Sequence, residues 1–416
     1  MKYLFSHSKG KLNLLTTWNL KLRLNLFFVS GKIVFLTGCL GTSIFVATPQ
    51  VAVAQTNPNN TLAIDRDDPL IPPGYGKREL TSFEKYRINQ EIASIDIAAK
   101  TALSQNDVER AMKLWYRQLR LARVLDKSTE VVALGKVGEV AWLENRSTDV
   151  RNIAQRLIAI EAENNLEKAA TGKWLNQLAV AYEQVRYLDK AIDVYQVIVK
   201  NNRANHTVDR ITILRKIGQL YLAIFDYQNA ANIYQELLDN DLDKKQQQSD
   251  LKTLISIYES TAQFDLAIAA RKRLIQQHIA QNQIEATSKL EVAIAGDYAT
   301  LKQLDKAIKA YDRALQTAIK TQQLALANEA LLNIGKLYQQ QNNINKAIAT
   351  YNKLIAIQQQ SYNHYGLIDT YDTLGQIYLK SNQQAQAKQH FKQGLELAKS
   401  LDYKVEYFNS KINSTQ

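Results

Sequence analysis

The sequence predicts an all-α protein built from stacked, antiparallel helix hairpins. An apolar stripe with helical spacing recurs at intervals of about forty residues along most of the chain. Each interval holds two such stripes, separated by a short break. No proline follows Pro73, as expected of a domain in which nearly every segment is helix.

The repeating unit is clearest in residues 214–238. The first stripe of this unit falls at i, i+3, i+4 and i+7, and its members are Leu214, Ile217, Gly218 and Tyr221. A break at residues 225–227 separates it from a second stripe, made of Ala230, Ile233, Tyr234 and Leu237. The unit therefore predicts a helix, a tight turn and a second helix.

The same frame fits eight successive units. Its first-helix position is held by Ala99, Gly138, Ala179, Gly218, Ile255, Ala295, Gly335 and Gly375. Its second-helix position is held by Ala111, Val150, Ala191, Ala230, Ala267, Ala307, Ala347 and Ala387. Small residues at both positions let two helices approach closely, with a bulky neighbour filling the space beside them. Five units carry both expected aromatic residues, whereas the fifth unit has Arg271 at the second aromatic position and the first two units are weak matches.

This pattern of small and aromatic positions resembles the tetratricopeptide repeat. The resemblance implies a right-handed superhelical solenoid of about eight hairpins, which we expect over residues 81–400. The chain departs from the family pattern in two ways, because its spacing is about 40 rather than 34 residues and the proline that closes the second helix is absent. Both departures predict second helices that are longer by a turn or two.

Residues 1–54 have the order of features of a secretory signal. Residues 1–32 are basic and contain no acid, an apolar run follows over residues 33–47, and Ala52-Val53-Ala54 precedes Gln55. We therefore expect export to a periplasm-like space or an internal lumen, with the membrane involved only through this segment. Two alternatives are an uncleaved anchor, for which about 15 apolar residues are short, and a lipoprotein acylated at Cys39, which lacks the usual polar tether.

Cleavage after Ala54 changes the cysteine and charge content. The only cysteine, Cys39, is lost, which rules out disulfides and thiol chemistry in the mature chain. The whole chain has 52 basic and 40 acidic residues, a net charge of +12; six of the bases and no acid lie in the first 54 residues, which leaves +6. That charge is mild for the length, and it argues against nucleic-acid binding.

The solenoid has a predicted segment on either side. Residues 55–80 contain four of the five prolines and no period, and we interpret them as an extended or disordered linker. The alternative is a docking motif at residues 67–73. Thr81 and Glu84 have the spacing of a capping box at the start of the first helix. Residues 401–416 are predicted to form a capping helix and a tail, with an apolar stripe over residues 401–412.

No reaction can be read from the sequence. The five histidines are scattered, none has metal-ligand spacing, and no phosphate loop, Gly-x-Ser-x-Gly or His-Glu-x-x-His motif is present. We therefore predict a protein that is not an enzyme and has no cofactor or metal. A remote alternative is a glycan-binding module or an enzyme that uses Trp142 and Trp174, the tryptophans outside the aromatic positions of the repeat.

In the family that this chain resembles, first helices line a concave groove for an extended peptide or a partner helix. The corresponding positions here include Asn176, Gln177, Arg215, Lys216, Gln219, Lys252, Thr253, Ser256, Asn333 and Lys336. Arg215, Lys216 and Lys252 form a basic cluster that we expect to be solvated; the alternative is that all these positions are only solvated surface. The residues by which related proteins grip the acidic terminus of chaperones do not recur, which disfavours a chaperone adaptor.

The predicted function is therefore an exported scaffold that recruits or assembles envelope proteins. Stacked repeats produce a long binding face, and no catalytic group competes with that interpretation. The main alternative is a membrane-tethered assembly factor, held by a signal anchor or a lipid, whose Pro-containing segment and solenoid bind different members of one complex. The partner and the oligomeric state are left open by the sequence.

Overall fold

The computed structural model describes residues 62–164, 173–201, 207–240 and 243–415. The chain divides into two units, Met1–Gln55 and Thr56–Gln416, and every described residue lies in the second unit. The predicted signal segment thus lies outside the described residues. Within the described ranges the structure has 17 α-helices and no strand, which confirms the all-α fold class.

The helices follow each other at short intervals along the chain. They are α1 (Ser82–Ser104), α2 (Val108–Leu125), α3 (Lys127–Leu143), α4 (Ser147–Glu163), α5 (Lys173–Gln184), α6 (Leu188–Asn201), α7 (Thr207–Ala223), α8 (Tyr227–Asn240), α9 (Lys244–Ser260), α10 (Phe264–Ala280), α11 (Thr287–Thr300), α12 (Leu304–Lys320), α13 (Leu324–Gln340), α14 (Ile344–Gln360), α15 (His364–Lys380), α16 (Gln384–Ser400) and α17 (Val405–Asn413). Helices α1 to α16 pair consecutively into eight hairpins. A 3₁₀ turn, Ile284–Ala286, precedes α11.

Each hairpin turn has the same backbone conformation. The middle residue of the turn adopts a left-handed φ near +60°, and these residues are Asn106, Asn145, Arg186, Phe225, Ala262, Lys302, Asn342 and Asn382. The next residue donates its N–H to a carbonyl five positions earlier, as Asn343 does to Tyr338 at 2.8 Å. This bond closes the end of the first helix and makes the turn three residues long.

The small positions of the repeat lie at the helix crossings, as the sequence predicts. The second-helix alanines Ala191, Ala267 and Ala347 are completely buried. A Cβ atom added to Gly335 would lie 2.7 Å from Tyr351 Cζ, so only a residue without a side chain lets this ring pack against α13. The core is therefore a continuous series of such crossings along the array.

The extra length of the repeat is shared between the two helices. Helices α13, α14, α15 and α16 are 17 residues long, and three-residue turns join them. The prediction placed the added residues in the second helix only. The structure has first and second helices of equal length in these repeats.

The segment before α1 is not the extended linker that the sequence predicts. Leu62 is buried, and Leu70 and Ile71 pack against the apolar cluster of α1 and α2. Arg117 Nε donates a hydrogen bond to Asp68 Oδ2 at 2.8 Å. The linker interpretation is therefore wrong for residues 62–80, because apolar residues between the prolines cover the first hairpin; residues 55–61 lie outside the described part.

Both ends of the helical array carry the capping features predicted for them. The Thr81 amide donates to Glu84 Oε2 at 2.8 Å, and the Glu84 amide donates to Thr81 Oγ1 at 3.2 Å, which confirms the capping box. At the other end, Phe408 of α17 is completely buried beside Phe391. Helix α17 begins later than the predicted stripe, because Asp402 and Lys404 adopt left-handed φ angles. Among the described helices none has both the length and the hydropathy that a membrane span requires.

Candidate functional site

The predicted groove residues lie on first helices but do not form one continuous site. They belong to α5 (Asn176, Gln177), α7 (Arg215, Lys216, Gln219), α9 (Lys252, Thr253, Ser256) and α13 (Asn333, Lys336). Asn176, Gln219, Lys252, Ser256 and Lys336 are exposed, and the other five are half-buried. The structure brings some of them into two separate cavities and engages others in ion pairs between repeats.

The basic cluster expected at Arg215, Lys216 and Lys252 is largely neutralised within the fold. Arg215 Nη2 donates to Asp250 Oδ2 at 2.9 Å, and the Asp250 side chain is only 2% exposed. Lys216 Nζ lies 2.8 Å from Glu183 Oε2. The expectation of a solvated side chain is therefore wrong for Arg215, which is 20% exposed and bound to a buried acid. Lys216 is paired with an acid on the neighbouring first helix, but its side chain is still 42% exposed. Lys252 remains exposed.

A cavity of about 310 Å³ lies between α3 and α5. Its lining residues are Val132, Lys136, Asn176, Gln177, Val180 and Gln184. Ser128 Oγ donates a hydrogen bond to Gln177 Oε1, so part of the polar lining is already satisfied by the fold. The cavity therefore offers a small and mainly apolar depression.

A larger cavity, of about 740 Å³, opens on the first-helix face at the fifth and sixth hairpins. We call it the α9–α11 cavity. It is lined by Lys252, Ile255, Ser256, Glu259, Arg271, Leu274, His278, Glu285, Ala286, Lys289, Leu290, Ala293, Gln323 and Leu326. Ile255 and Leu274 are buried and form an apolar floor, whereas Lys252, Ser256 and Lys289 are exposed at the rim.

The fifth repeat departs from the repeat frame at the positions that line this cavity. Ile255 stands where the other repeats have a small or compact residue, and Arg271 replaces the second aromatic residue. Arg271 is 3% exposed and donates hydrogen bonds to Asp297 and Glu259. Burial raises the pKa of Asp297, although the nearby guanidinium opposes this shift. Polar side chains thus replace the ring packing found in the other repeats.

The 3₁₀ turn before α11 also contributes to the opening. It replaces the first turn of the helix, so that α11 has 14 residues rather than 17. Gln323 Nε2 donates to the Glu285 carbonyl at 2.9 Å and holds the turn against the start of α13. In the part of the chain that the structure describes, the backbones of α9 and α11 do not come into contact, and the same is true of α7 and α9 and of α13 and α15. The space between them is the cavity.

The rim of the α9–α11 cavity carries two available cations. Neither Lys252 nor Lys289 has an ion-pair or hydrogen-bond partner among the described residues. Two acids also line the cavity: Glu259 binds Arg271, whereas Glu285 is exposed and its carboxylate has no partner among the described residues. An apolar floor flanked by free ammonium groups suits a peptide segment with an apolar side chain next to a carboxylate.

The sequence predicts Lys252, Ser256 and Glu259 on the groove face of this repeat, but it does not predict the cavity or the lining residues that other elements supply. Arg271, Lys289 and Leu326 come from a second helix and from two later first helices, and only folding brings them beside α9. One signal was visible, because Ile255 and Arg271 break the repeat frame in the same unit. A site that breaks a local rule is often functional.

The two tryptophans of the glycan alternative have different environments. Trp142 is 48% exposed and lines a cavity of about 300 Å³ together with Arg151 and Tyr187. Trp174 packs against the core, and Lys127 Nζ lies 4.9 Å from its ring centre. Trp174 does not line the Trp142 cavity. Within the described ranges, no group of three or more His, Cys, Asp and Glu side chains is placed to hold a metal ion.

The eight stacked hairpins, with their first helices exposed along one face, define a helical-repeat protein. Residues 326–400 match the family model of the tetratricopeptide repeat. No curated protein matches the sequence.

Three solved structures that match parts of this chain are as follows. BtubC (BKLC) from P. vanneervenii is 18% identical, with 52% of this chain and 92% of that chain covered at a TM-score of 0.35. The C-terminal part of a TPR repeat-containing protein from Cytophaga hutchinsonii is 16% identical, with 63% and 95% covered at 0.36. The apo form of RapI is 11% identical, with 79% and 97% covered at 0.32.

Proposed function

We propose that this protein is an exported, non-enzymatic scaffold that binds a protein or peptide partner on its first-helix face and helps to assemble envelope proteins. The observation that carries this proposal is the α9–α11 cavity, with its volume of about 740 Å³ and its apolar floor. It is large enough to take one or two side chains of a bound segment. A stack of repeats presents such a face along its whole length.

The chemistry of the rim supports a particular kind of segment. An apolar side chain of the partner enters the cavity over Ile255 and Leu274, where burial contributes most of the affinity. A carboxylate beside it lies near Lys252 and Lys289, which adds orientation and a salt-dependent association rate. Arg271 is bound to Asp297 and Glu259 and therefore contributes to the wall of the site without offering a free charge.

The packing of segment 62–80 argues against the tethered alternative. A tethered assembly factor would use this Pro-containing segment as a second docking site. Its Asp68 is bound to Arg117, and Leu62 and Leu70 lie against the first hairpin. We therefore assign partner binding to the first-helix face. Export itself rests on the order of charged, apolar and small residues in the first 54 positions.

The test is affinity capture from the exported fraction with charge-reversed rim variants. We expect Lys252→Glu with Lys289→Glu to lose the captured partner. Lys309→Glu with Lys392→Glu is the matched control, since these lysines are exposed on second helices away from the cavity. Both double variants should melt at the wild-type temperature because all four side chains are solvated.

A second variant tests the contribution of the cavity's shape separately from that of the charges at its rim. Ser256→Trp places a bulky ring at the rim without changing the net charge, and we expect it to reduce capture as well. Capture that survives both the rim reversal and this filling would rule out the α9–α11 cavity as the binding site. Loss in the second-helix control to the same extent would also contradict the proposal, because it would indicate a general charge effect.

A further inference from the structure

A cavity of about 420 Å³ opens between α2 and α4, the second helices of the first two hairpins. We call it the α2–α4 cavity. Its volume lies within the range of sites for small molecules, roughly 300–1,000 Å³. The buried Met112 and the half-buried Tyr116 of α2 give part of its wall an apolar character. The groove residues expected from the repeat frame lie on first helices, and none of them lines this cavity.

The two acids of the α2–α4 cavity are already bound within the fold. Arg146, the N-cap residue of α4, donates hydrogen bonds to both Glu109 and Asp149. The Tyr116 hydroxyl donates a further hydrogen bond to Asp149 Oδ1 at 2.8 Å. One guanidinium therefore serves both carboxylates and joins α2 to α4.

The two other bases of the cavity have no such acceptor. Among the described residues, neither Lys113 nor Arg120 forms an ion pair or a hydrogen bond, although Arg120 Nε is buried. Asp68 interacts electrostatically with Arg120, but its carboxylate binds Arg117 and the Leu70 amide. A buried donor without an acceptor is unfavourable. The fold thus supplies no anion for the Arg120 guanidinium.

The spacing of these two bases suits a shared ligand. Lys113 and Arg120 are seven residues apart on α2, which places them on one face, about 10 Å from each other along the axis. Tyr116 lies between them on the same side of the helix. Both side chains are long enough to extend towards one anion above the tyrosine ring.

The charge of the lining indicates the kind of anion. Lys113, Arg120 and Arg146 stand against Glu109 and Asp149, which leaves one positive charge in excess. A monoanion offsets this excess, whereas a dianion would add negative charge beside two carboxylates. A guanidinium also matches the planar geometry of a carboxylate, to which it can donate two parallel hydrogen bonds.

We propose that the α2–α4 cavity binds a small organic monocarboxylic acid. Its carboxylate lies between Lys113 and Arg120 and supplies the acceptor that the Arg120 guanidinium lacks. Its apolar part packs on Met112 and Tyr116, while Arg146 stays bound to Glu109 and Asp149. The site lies on second helices and is independent of partner binding at the α9–α11 cavity.

Titration calorimetry of the full chain with benzoate tests this site. Benzamide, which is neutral and has the same shape, should bind at least about ten-fold more weakly, because it cannot form the charge-assisted bonds. Phenyl phosphate should also bind more weakly, since its second negative charge faces Glu109 and Asp149. No binding of benzoate at millimolar concentration, or equal binding of benzamide, would overturn the proposal. Tighter binding of phenyl phosphate would contradict the choice of a monoanion.

Substitutions locate the bound acid. Arg120→Gln should weaken benzoate binding at least about ten-fold, and Lys113→Gln should weaken it less, because that ammonium group is solvated. Arg151→Gln is the matched control, since Arg151 is an exposed base of α4 that does not line the cavity. Binding that is unchanged in Arg120→Gln, or equally weakened in Arg151→Gln, would overturn the proposed site.

Thermal melting shows whether Arg120→Gln loses binding without losing the fold. Arg120 makes no hydrogen bond in the free protein, so the variant should melt close to the wild-type temperature. Benzoate should raise the melting temperature of the wild type and of Arg151→Gln, but not that of Arg120→Gln. An equal rise in Arg120→Gln would mean that the acid binds elsewhere.

Discussion

At the scale of single residues, the packing of each hairpin depends on glycines at the helix crossings, where no side chain fits. A Cβ atom on Gly335 meets the ring of Tyr351 at 2.7 Å, and one on Gly375 meets Phe391 at 2.5 Å. Gly296 of α11 differs from them, since no atom lies within 4 Å of its added Cβ. The sequence predicts the first two correctly from their place in the repeat frame. It does not show which glycine has room for a Cβ atom, because the rings that fill this space come from the partner helix.

This contrast predicts opposite effects of the same substitution. Gly335→Ala should lower the free energy of unfolding by about 1–3 kcal/mol, because the Tyr351 ring must move. Gly296→Ala should raise it by roughly 0.5–1 kcal/mol, since alanine costs less backbone entropy in a helix. Denaturant unfolding of both variants measures the difference. Equal effects would show that the close helix approach at Gly335 is not needed for stability.

Arg215 shows where a pattern alone is insufficient. Its place on the first-helix face follows from the sequence, but its partner Asp250 lies 35 residues further on, in the first helix of the next hairpin. We predict that Arg215→Glu lowers the free energy of unfolding by about 2 kcal/mol or more, because it leaves a buried carboxylate beside a like charge. Lys252→Glu should change it by no more than about 0.5 kcal/mol. A matching loss in both variants would mean that the Arg215–Asp250 pair does not stabilise the fold.

At the scale of elements, the segment 62–80 is the clearest difference between prediction and structure. Its prolines argue correctly against a helix. Its apolar residues, Ile64, Leu70, Ile71 and Tyr75, have no regular spacing, so no periodicity reveals that they cover α1 and α2. Hydrophobic residues without a period can still pack when a hairpin at the end of an array has an open face.

The contact of this segment should weaken in acid. Burial alone raises the pKa of Asp68, but hydrogen bonds from Arg117 and from the Leu70 amide outweigh it, and the pKa is lower than usual. The pair therefore stabilises the folded segment above the unfolded pKa of about 3.9, and this stability is lost as the pH falls through the lower folded value. The protection of residues 62–80 from hydrogen exchange, measured relative to the intrinsic exchange rate at each pH, should fall below about pH 4.

Asp68→Asn should produce the faster exchange already at neutral pH, because the amide cannot form the charge-assisted bond with Arg117. Asp67→Asn is the matched control, since Asp67 is exposed and its carboxylate has no partner in the described residues. Exchange in Asp68→Asn that equals the wild type would show that apolar packing alone holds the segment.

At the scale of the whole molecule, the recurrence of the repeat frame makes the fold predictable from the sequence. The same recurrence predicts the α9–α11 cavity only in part. Eight copies of one frame overcome the weakness of any single copy, including the first two, and all eight fold as hairpins. The α9–α11 cavity depends on a 3₁₀ turn and on residues from four helices, α9, α10, α11 and α13. The helical periodicity of the sequence indicates which face of the first helices is exposed, but it does not indicate whether that face contains a cavity or how deep the cavity is.

We propose that the first 54 residues direct export of the protein, and N-terminal sequencing of the mature protein tests this proposal. We predict Gln55 as the first residue, because small residues at positions 52 and 54 suit the secretory peptidase. The loss of six bases and no acid should lower the net charge from +12 to +6, which isoelectric focusing detects independently.

Ala54→Leu should block this processing, whereas Ala47→Leu, inside the apolar run, should not. An acylated Cys39 would establish the tethered form, and an intact Met1 would contradict cleavage. A mature chain that begins at Gln55 has only seven residues before Leu62, which leaves the helical array as the main binding surface.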